Sequence, residues 1–254
     1  MKKILGYILT PIFYVVFGLL LCVFHVLQII ALNIFGKTAH KKTVDVLNFC
    51  LLYSLCILGT RISIRYKFTL PVDKPIIFIA NHQSMHDVPG IIWFLRGHHP
   101  KFVSKIELTN GIPSISYNLR HSRAALINRK DSRQAITEIS NLGKLINENN
   151  YSAVIFPEGT RSKDGTIKHF ATGGITTLLK KAPDALVVPI AINNIWKLNR
   201  WGKFPLSVGE HISWTVLSAI DTNGKERIAV AAEAEEAIRA ELACWQRKSE
   251  YQAI

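Results

Sequence analysis

Acidic residues and cysteines are scarce in this chain of 254 residues. Its 18 Asp and Glu residues stand against 31 Lys and Arg residues, which gives a formal net charge of +13. The four cysteines have no spacing typical of a disulfide framework or a zinc site, which disfavours a small domain stabilised by disulfides or by zinc. We expect the thiols to be reduced. Internal repeats and low-complexity linkers are also missing from the sequence. This length therefore favours one catalytic domain with an appendage.

Charge is missing altogether from residues 4–32, a run of 29 residues without Lys, Arg, Asp or Glu. The run exceeds the roughly 20 residues that span a bilayer, is too long for a signal-peptide core, and is followed by no small-residue cleavage site. A second apolar stretch covers residues 44–58. It is shorter and carries Asp45, Asn48 and Ser54, which favours a re-entrant or interfacial helix.

Basic residues flank both apolar stretches on each side. Because Lys and Arg normally concentrate in the cytoplasmic loops of membrane proteins, these flanks do not indicate an orientation of either stretch across the membrane. We therefore predict that residues 1–60 form a membrane-embedded helix pair, a hairpin that dips into the cytoplasmic leaflet (of the inner membrane, in a bacterium). The basic remainder of the chain suits membrane lipids and an anionic substrate. We expect no nucleic-acid partner, because the chain has a membrane run and no recognised nucleic-acid motif.

Apolar runs typical of strands alternate with helical patterns from residue 61 onwards. Strands are predicted at residues 62–68, 76–80, 101–104, 153–156 and 186–192, and helices at residues 88–95, 132–147, 172–181 and 226–248. The run at 76–80 is apolar throughout, which is typical of a strand buried on both faces. We predict an α/β fold for residues 61–254, with a largely parallel sheet flanked by helices and a C-terminal helix, preceded by the N-terminal membrane-embedded helical hairpin.

Two polar clusters directly follow strand-like runs. The first, N-H-Q-S-M-H-D, occupies residues 81–87, and the second, F-P-E-G-T-R-S, occupies residues 156–162. Open α/β sheets bind ligands beyond the carboxyl ends of their strands, so both clusters are candidate site segments. Together they resemble the glycerolipid acyltransferase family, whose marks are N-H-x-x-x-x-D and F-P-E-G-T-R-S in this order. The resemblance covers roughly residues 75–192 and is closest to the lysophosphatidate acyltransferases.

This resemblance implies an enzyme, a 1-acylglycerol-3-phosphate O-acyltransferase that moves a fatty acyl group from an acyl thioester to the 2-hydroxyl of lysophosphatidate. The product would be phosphatidate, used for phospholipid synthesis. The co-substrate is acyl-CoA or acyl-acyl carrier protein, and no cofactor is expected. Two alternatives stay open. One is an acyltransferase for another lysophospholipid or lipid alcohol, and the other is a non-catalytic membrane protein that binds anionic lipids.

His82 and Asp87 are the candidate catalytic residues. Acyl transfer to an alcohol needs a base that removes the hydroxyl proton, and a neutral imidazole accepts a proton near neutral pH. A carboxylate on the other ring nitrogen would fix the tautomer and stabilise the imidazolium, as in a serine-protease triad. The substrate hydroxyl replaces the serine, so no acyl-enzyme is expected. The two side chains can meet if His82 lies in the turn before a helix and Asp87 in its first turn.

The resemblance also assigns residues that bind the glycerol phosphate. The substrate-binding candidates are Lys105, Arg129, Glu158, Gly159, Thr160 and Arg161. Within the second cluster, Arg161 offers a planar donor fork for phosphate oxygens, Gly159 lets the backbone approach the ligand, and Glu158 accepts from a glycerol hydroxyl. A turn with a solvated arginine is the simpler interpretation of this cluster, and the first cluster beside it argues against that interpretation.

Arg129 and Lys105 match further phosphate contacts of the family. At Arg129 the chain departs from the family pattern, because Leu126 stands where the family usually has Phe and residues 123–125 lack a common Gly. For Lys105, an ordinary surface lysine is the alternative. Pro189 matches a fourth family block, in which it shapes the end of a strand near the acyl donor.

Two simpler interpretations of the first cluster remain. Residues 84–87 have the pattern of a capping box, and we expect Ser84 to be the N-cap of the following helix in addition to the catalytic role of Asp87. His82, His86 and Asp87 also invite a metal-site interpretation. The segment lacks the Glu of a metalloprotease helix and has no further ligand at a clear spacing, so we predict that the protein binds no metal.

Overall fold

A computed structural model describes residues 2–251, with side chains through residue 247. The strands are Arg61–Tyr66 (β1), Ile76–Ala80 (β2), Pro100–Lys105 (β3), Ala125–Ile127 (β4), Ser152–Ile155 (β5), Leu186–Asn193 (β6) and His211–Val216 (β7). The helices are Lys2–Ser54 (α1), Asp87–Phe94 (α2), Ile115–His121 (α3), Ser132–Asn149 (α4), Thr172–Lys181 (α5) and Arg227–Tyr251 (α6). Within the described residues, the seven strands form one sheet in the order β1-β7-β6-β2-β5-β3-β4.

The sheet is largely parallel, which confirms the predicted fold class. β2 pairs in parallel with β5 and β6, and β3 pairs in parallel with β4 and β5. β1 and β7 are parallel to each other, but β7 is antiparallel to β6. Three elements, β4, α3 and β7, were not predicted from the sequence. β4 and α3 are too short to show a period. β7 does alternate polar and apolar residues, a pattern typical of a strand, so its sequence carried a signal that was overlooked.

Helices cover both faces of the sheet. Along β2, Ile77 and Ile79 face one core, which α4, α5 and α6 complete. Ile76 and Phe78 face a second core, which α1 and α2 complete. All five residues of β2 are buried, as the continuous apolar run predicts. The sheet therefore holds the polar loops at its edge between two packed layers.

The N-terminal helix α1 is interrupted at Gly36, whose backbone angles (φ 80°, ψ −171°) are not helical. Glycine adopts a positive φ without the steric penalty of a side chain. Gly36 divides α1 into a first arm, residues 2–35, and a second arm, residues 37–54. The two arms pack against each other through Leu21 and Leu47, so α1 forms the predicted pair of helices.

The first arm docks along one face onto the remainder of the chain. Thr10 Oγ1 accepts a hydrogen bond from the backbone N–H of Leu206 (2.9 Å), and Phe13 is fully buried. The opposite face exposes large apolar side chains, namely Ile4, Ile8, Ile12, Val15, Leu19 and Val23. By length and composition, the helical stretch Lys2–Leu58 could cross a membrane. The first arm therefore has two apolar faces, one packed against the rest of the protein and one exposed.

Candidate active site

The carboxyl ends of β2, β5, β3 and β4 lie side by side at one edge of the sheet, because these neighbouring strands are parallel. Residues 81–87 follow β2, and residues 156–162 follow β5. Lys105 is the last residue of β3, and Arg129 comes two residues after β4. Every residue predicted to belong to the site therefore reaches the same edge of the sheet.

His82 and Asp87 form a direct pair. His82 Nδ1 lies 2.7 Å from Asp87 Oδ2, and the Asp87 side chain is fully buried. Oδ2 also accepts hydrogen bonds from the backbone N–H groups of Gln83 (2.6 Å) and Ser84 (2.9 Å). Because Oδ2 already accepts from two backbone N–H groups, the geometry assigns Nδ1 as the donor to Oδ2, and in a neutral ring this leaves Nε2 with a free lone pair. This is the arrangement that a base and its orienting acid require.

The loop after β5 is attached directly to His82. The rings of Phe156 and His82 stack with their centroids 4.2 Å apart. The His82 N–H donates to Glu158 Oε1 (2.7 Å), and the Ser162 N–H donates to the His82 carbonyl oxygen (2.8 Å). The Lys168 N–H donates to Glu158 Oε2 (2.9 Å). Burial raises the pKa of the Glu158 carboxyl, and the hydrogen bonds from Lys168 and His82 act in the opposite direction. Glu158 thus ties the two loops together.

Two amide side chains fasten the loop after β2, a role that the sequence analysis missed. The Asn81 side chain donates to the Ile192 carbonyl oxygen (2.9 Å) and accepts from the Ile192 N–H (2.7 Å). Gln83 Oε1 accepts from the N–H of Ile195 (3.0 Å). The Asn81 side chain therefore continues the hydrogen bonding between β2 and β6 beyond the last residue of β2. The only signal in the sequence was the presence of amides beside the histidine, since their partners lie more than 100 residues away.

The predicted N-cap at Ser84 is wrong. Helix α2 begins at Asp87, with His86 at the N-cap position and no side-chain capping bond. Ser84 Oγ accepts only a long contact from the His86 N–H (3.4 Å), while the Ser84 N–H donates to Asp87. The Asp87 carboxylate turns back towards residues 82–84, which holds that segment in a turn and delays the start of the helix. Asp87 in the first turn agrees with the prediction for the pair.

The second cluster forms an exposed turn beside this pair. Gly159 has a φ of 69°, a left-handed conformation that favours glycine. The Arg161 side chain is exposed to solvent. Lys168 Nζ donates to Thr160 Oγ1 (2.7 Å) and to the Arg161 carbonyl oxygen (3.3 Å). Lys168 is a basic residue that the sequence analysis missed, because only the folding of the loop brings it to this turn.

Lys105 and Arg129 reach the same edge from the outer strands β3 and β4. The strand order places them one and two strands from β5, or roughly 5 and 10 Å along the sheet. Partial burial lowers the pKa of the Arg129 guanidinium, and nearby Glu107 acts in the opposite direction. The phosphate contacts predicted for both side chains stay predictions.

His86 lies in a different environment from His82. Its side chain is buried, with 3% exposed. Burial lowers its pKa to about 4; Asp87 opposes this shift and Arg161 adds to it. The ring is neutral at pH 7 and is enclosed by aromatic rings. Among the described residues, no group of three or more His, Cys, Asp or Glu side chains is placed to hold a metal ion.

Comparisons with known proteins agree on one family. The model of the family described as "Acyltransferase" matches residues 61–193. A 1-acyl-sn-glycerol-3-phosphate acyltransferase of Chlamydomonas reinhardtii is 32% identical over 145 residues, which cover 54% of this chain and 42% of the relative. The alpha form from Ovis aries is 25% identical, covering 61% and 53%. The chain thus spans about half the length of the curated relatives it matches.

A solved structure has the same fold over nearly the whole chain. The crystal structure of the 1-acyl-sn-glycerophosphate (LPA) acyltransferase PlsC from Thermotoga maritima superposes with a TM-score of 0.79. The match covers 97% of this chain and 98% of the other, at 21% sequence identity. The likeness includes the N-terminal helix pair as well as the sheet, since only both together account for this coverage.

Proposed function

Because the chain belongs to the acyltransferase family, we propose that it transfers a fatty acyl group from an acyl thioester to the 2-hydroxyl of lysophosphatidate, making phosphatidate. The observation that carries the proposal is the His82–Asp87 pair, with 2.7 Å between Nδ1 and Oδ2, bonded to the loop that presents Arg161. The names of the matching relatives support the choice of acceptor. The residues assigned below are part of the same proposal.

In this mechanism His82 Nε2 accepts the proton of the acceptor hydroxyl while the hydroxyl oxygen attacks the thioester carbonyl carbon. The carbon–oxygen bond forms, and a tetrahedral intermediate carries the negative charge on the former carbonyl oxygen. Collapse of this intermediate breaks the carbon–sulfur bond, and the imidazolium returns its proton to the leaving thiolate. Asp87 holds Nδ1–H throughout, so the ring keeps one orientation and the imidazolium is stabilised.

The acceptor phosphate is bound, in this proposal, by cations along the edge of the sheet. Arg161 supplies a donor fork, and Lys168 adds a second charge at the same turn. Arg129 and Lys105 extend this positive edge across the two outer strands. A phosphate anchored there would place the 2-hydroxyl towards His82, because Glu158 joins the two loops directly.

We further propose that the exposed apolar face of α1 enters the cytoplasmic leaflet, where the acceptor and the product both partition. The acyl thioester, acyl-CoA or acyl-acyl carrier protein, would arrive from the aqueous side. Both donors are anionic, so the net charge of +13 favours either one. Supplying each donor in turn to the purified protein distinguishes them.

A thioester-release assay on the purified protein in detergent tests the function. We expect release with lysophosphatidate, much less with an uncharged monoacylglycerol, and release slowed by about 10²–10⁴-fold with His82→Ala. A panel of other lysophospholipids identifies the acceptor. Equal release with monoacylglycerol would overturn the assigned acceptor, and no release with any acceptor would overturn the enzymatic function.

A further inference from the structure

The first arm of α1 touches the catalytic segment at His86. The rings of Phe13 and Phe17 each lie 5.8 Å from the His86 ring, centroid to centroid, at interplanar angles of 68° and 88°. Phe13 is fully buried and His86 nearly so. Two aromatic side chains of an arm with an exposed apolar face thus close over the residue that immediately precedes Asp87.

Asp87 depends on its neighbours for its direction. Its carboxylate uses only Oδ2 for hydrogen bonds, and Oδ1 is buried without a partner in the described residues. On the sheet side, the Trp214 indole N–H donates to the Asp87 carbonyl oxygen (3.4 Å). A Cβ added to Gly90, one turn further along α2, would lie 2.3 Å from the Trp214 ring. The helix therefore sits directly against β7, and its start is confined from the arm side by His86.

The histidine itself is a costly choice for this position. His86 Nδ1 is buried and has no hydrogen-bond partner among the described residues. An unpaired polar atom in a packed interior is unfavourable, so burial by itself does not explain a histidine here. The edge-on arrangement against two phenyl rings is a preferred geometry for aromatic pairs and fixes the His86 ring in one orientation.

We propose that His86 is a positioning residue, through which the docked first arm holds Asp87 and thereby the His82 imidazole. This inference rests on the proposed function for its kinetic readout only. The arm then has two roles, since one face presents Val15 and its neighbours outwards while the other completes the catalytic segment. Loosening the inner face lowers turnover even where no membrane is needed to bring the substrate.

The test uses the purified full chain in detergent micelles, which removes membrane partitioning from the measurement. Phe17→Ala and His86→Ala should lower kcat about 10-fold or more, because small displacements of catalytic groups cost one to two orders of magnitude. The KM for the acceptor should change little. The matched control is Val15→Ala, which lies two residues from Phe17 and is 62% exposed. This control should keep the kcat of the unmodified protein.

The double variant Phe17→Ala/His86→Ala establishes the connection. If both residues act through one contact, the kcat of the double variant should be no lower than that of the less active single variant. Multiplied losses would overturn the proposal, and so would an equal loss in Val15→Ala. Phe17→Leu serves as a milder variant should Phe17→Ala fail to fold, and it should show a smaller loss in the same direction.

The contact can also be tested by NMR spectroscopy of the free protein, a measurement that does not require acyl transfer. The His82 Nδ1–H bonded to Asp87 should give a downfield proton resonance in the NMR spectrum of the free protein. We expect it to move upfield or disappear in Phe17→Ala and His86→Ala, and to stay unchanged in Val15→Ala. An unchanged resonance in all three would overturn the inference. Failure of the proposed function would instead appear as missing thioester release in the unmodified protein.

Discussion

At the scale of single residues, the candidate site depends on a carboxylate that is oriented by several donors at once. Asp87 Oδ2 accepts from His82 and from two backbone N–H groups. The imidazole tautomer is therefore set before any substrate binds. If His82 is the base that we propose, it needs no reorganisation when the acceptor hydroxyl arrives.

Replacement of the pair should abolish most of the turnover. We expect His82→Ala to lower kcat by about 10²–10⁴-fold, the usual loss of a general base, while acceptor binding survives. Asp87→Asn should also be severe, because an amide can stabilise the wrong tautomer. Steady-state kinetics with acceptor titration measure both effects. Near-normal turnover in His82→Ala would contradict the mechanism.

Loss of Arg161 or Arg129 should weaken recognition of the acceptor. A charge-assisted contact to a bound phosphate contributes roughly 1.5–3 kcal/mol, so Arg161→Ala and Arg129→Ala should each lower acceptor kcat/KM by about 10–100-fold. Arg161→Lys should rescue only in part, because a point charge lacks the fork of donors. Both alanine variants should also narrow the preference for lysophosphatidate over monoacylglycerol. An unchanged preference would make these arginines structural.

Glu158 should affect turnover more than acceptor affinity, because its two oxygens hold the backbone N–H groups of His82 and Lys168. Glu158→Ala leaves the part-buried N–H of His82 without its partner, which we expect to cost about 1–3 kcal/mol of stability. The kcat should fall with the displacement of His82. Thermal unfolding and kinetics measure the two effects, with the exposed neighbour Lys163→Ala as the control. A change confined to acceptor KM would instead support direct contact with the glycerol.

At the scale of elements, the start of α2 is the point where arm, sheet and catalytic loop meet. The sequence pattern placed a helix here correctly to within one residue, at 88–95 against Asp87–Phe94. It misassigned the cap, because a capping box and a carboxylate that orients a histidine use the same residue types. Local spacing cannot distinguish an Asp that bonds to its own helix end from one that also turns back to a histidine.

The buried His86 should make the fold sensitive to acid. Its pKa is about 4 in the folded protein and near 6.5 when unfolded, so the unfolded chain binds a proton between these values and the folded protein does not. Stability is therefore lost as the pH falls below about 6.5, by about 2 kcal/mol between pH 7 and pH 5 for this residue. His86→Leu should reduce this pH dependence of thermal unfolding in detergent. If His86→Leu loses as much stability between pH 7 and pH 5 as the unmodified protein, other groups cause the acid sensitivity.

At the scale of the whole molecule, the arms of α1 and the sheet form one packed body with an exposed apolar surface. The first arm contributes Phe13 to the core that contains β2 and α2. Its outer face carries side chains such as Ile8 and Val15, 61% and 62% exposed. An exposed apolar surface of this length indicates burial in something other than water.

The protein should remain with membranes through a high-salt wash, because an apolar face inserts where a basic surface would only adsorb. Thr38, just after the bend at Gly36, is exposed and suits a labelling site. A cysteine introduced by Thr38→Cys should react only from the cytoplasmic face if the arms form a hairpin in one leaflet. Reaction from the opposite face would demonstrate two full spans.

Features that depend on neighbouring residues could be predicted from the sequence. Periodicity identified most strands and helices, continuous apolarity identified β2 as buried, and the two motifs located the pair of His82 and Asp87. The contacts between these elements are known only from the folded structure. Glu158 is 76 residues from His82, and Phe17 is 69 residues from His86, yet each pair is in direct contact. Such contacts arise from the packing of whole elements, and no local pattern records which side chains the packing brings together.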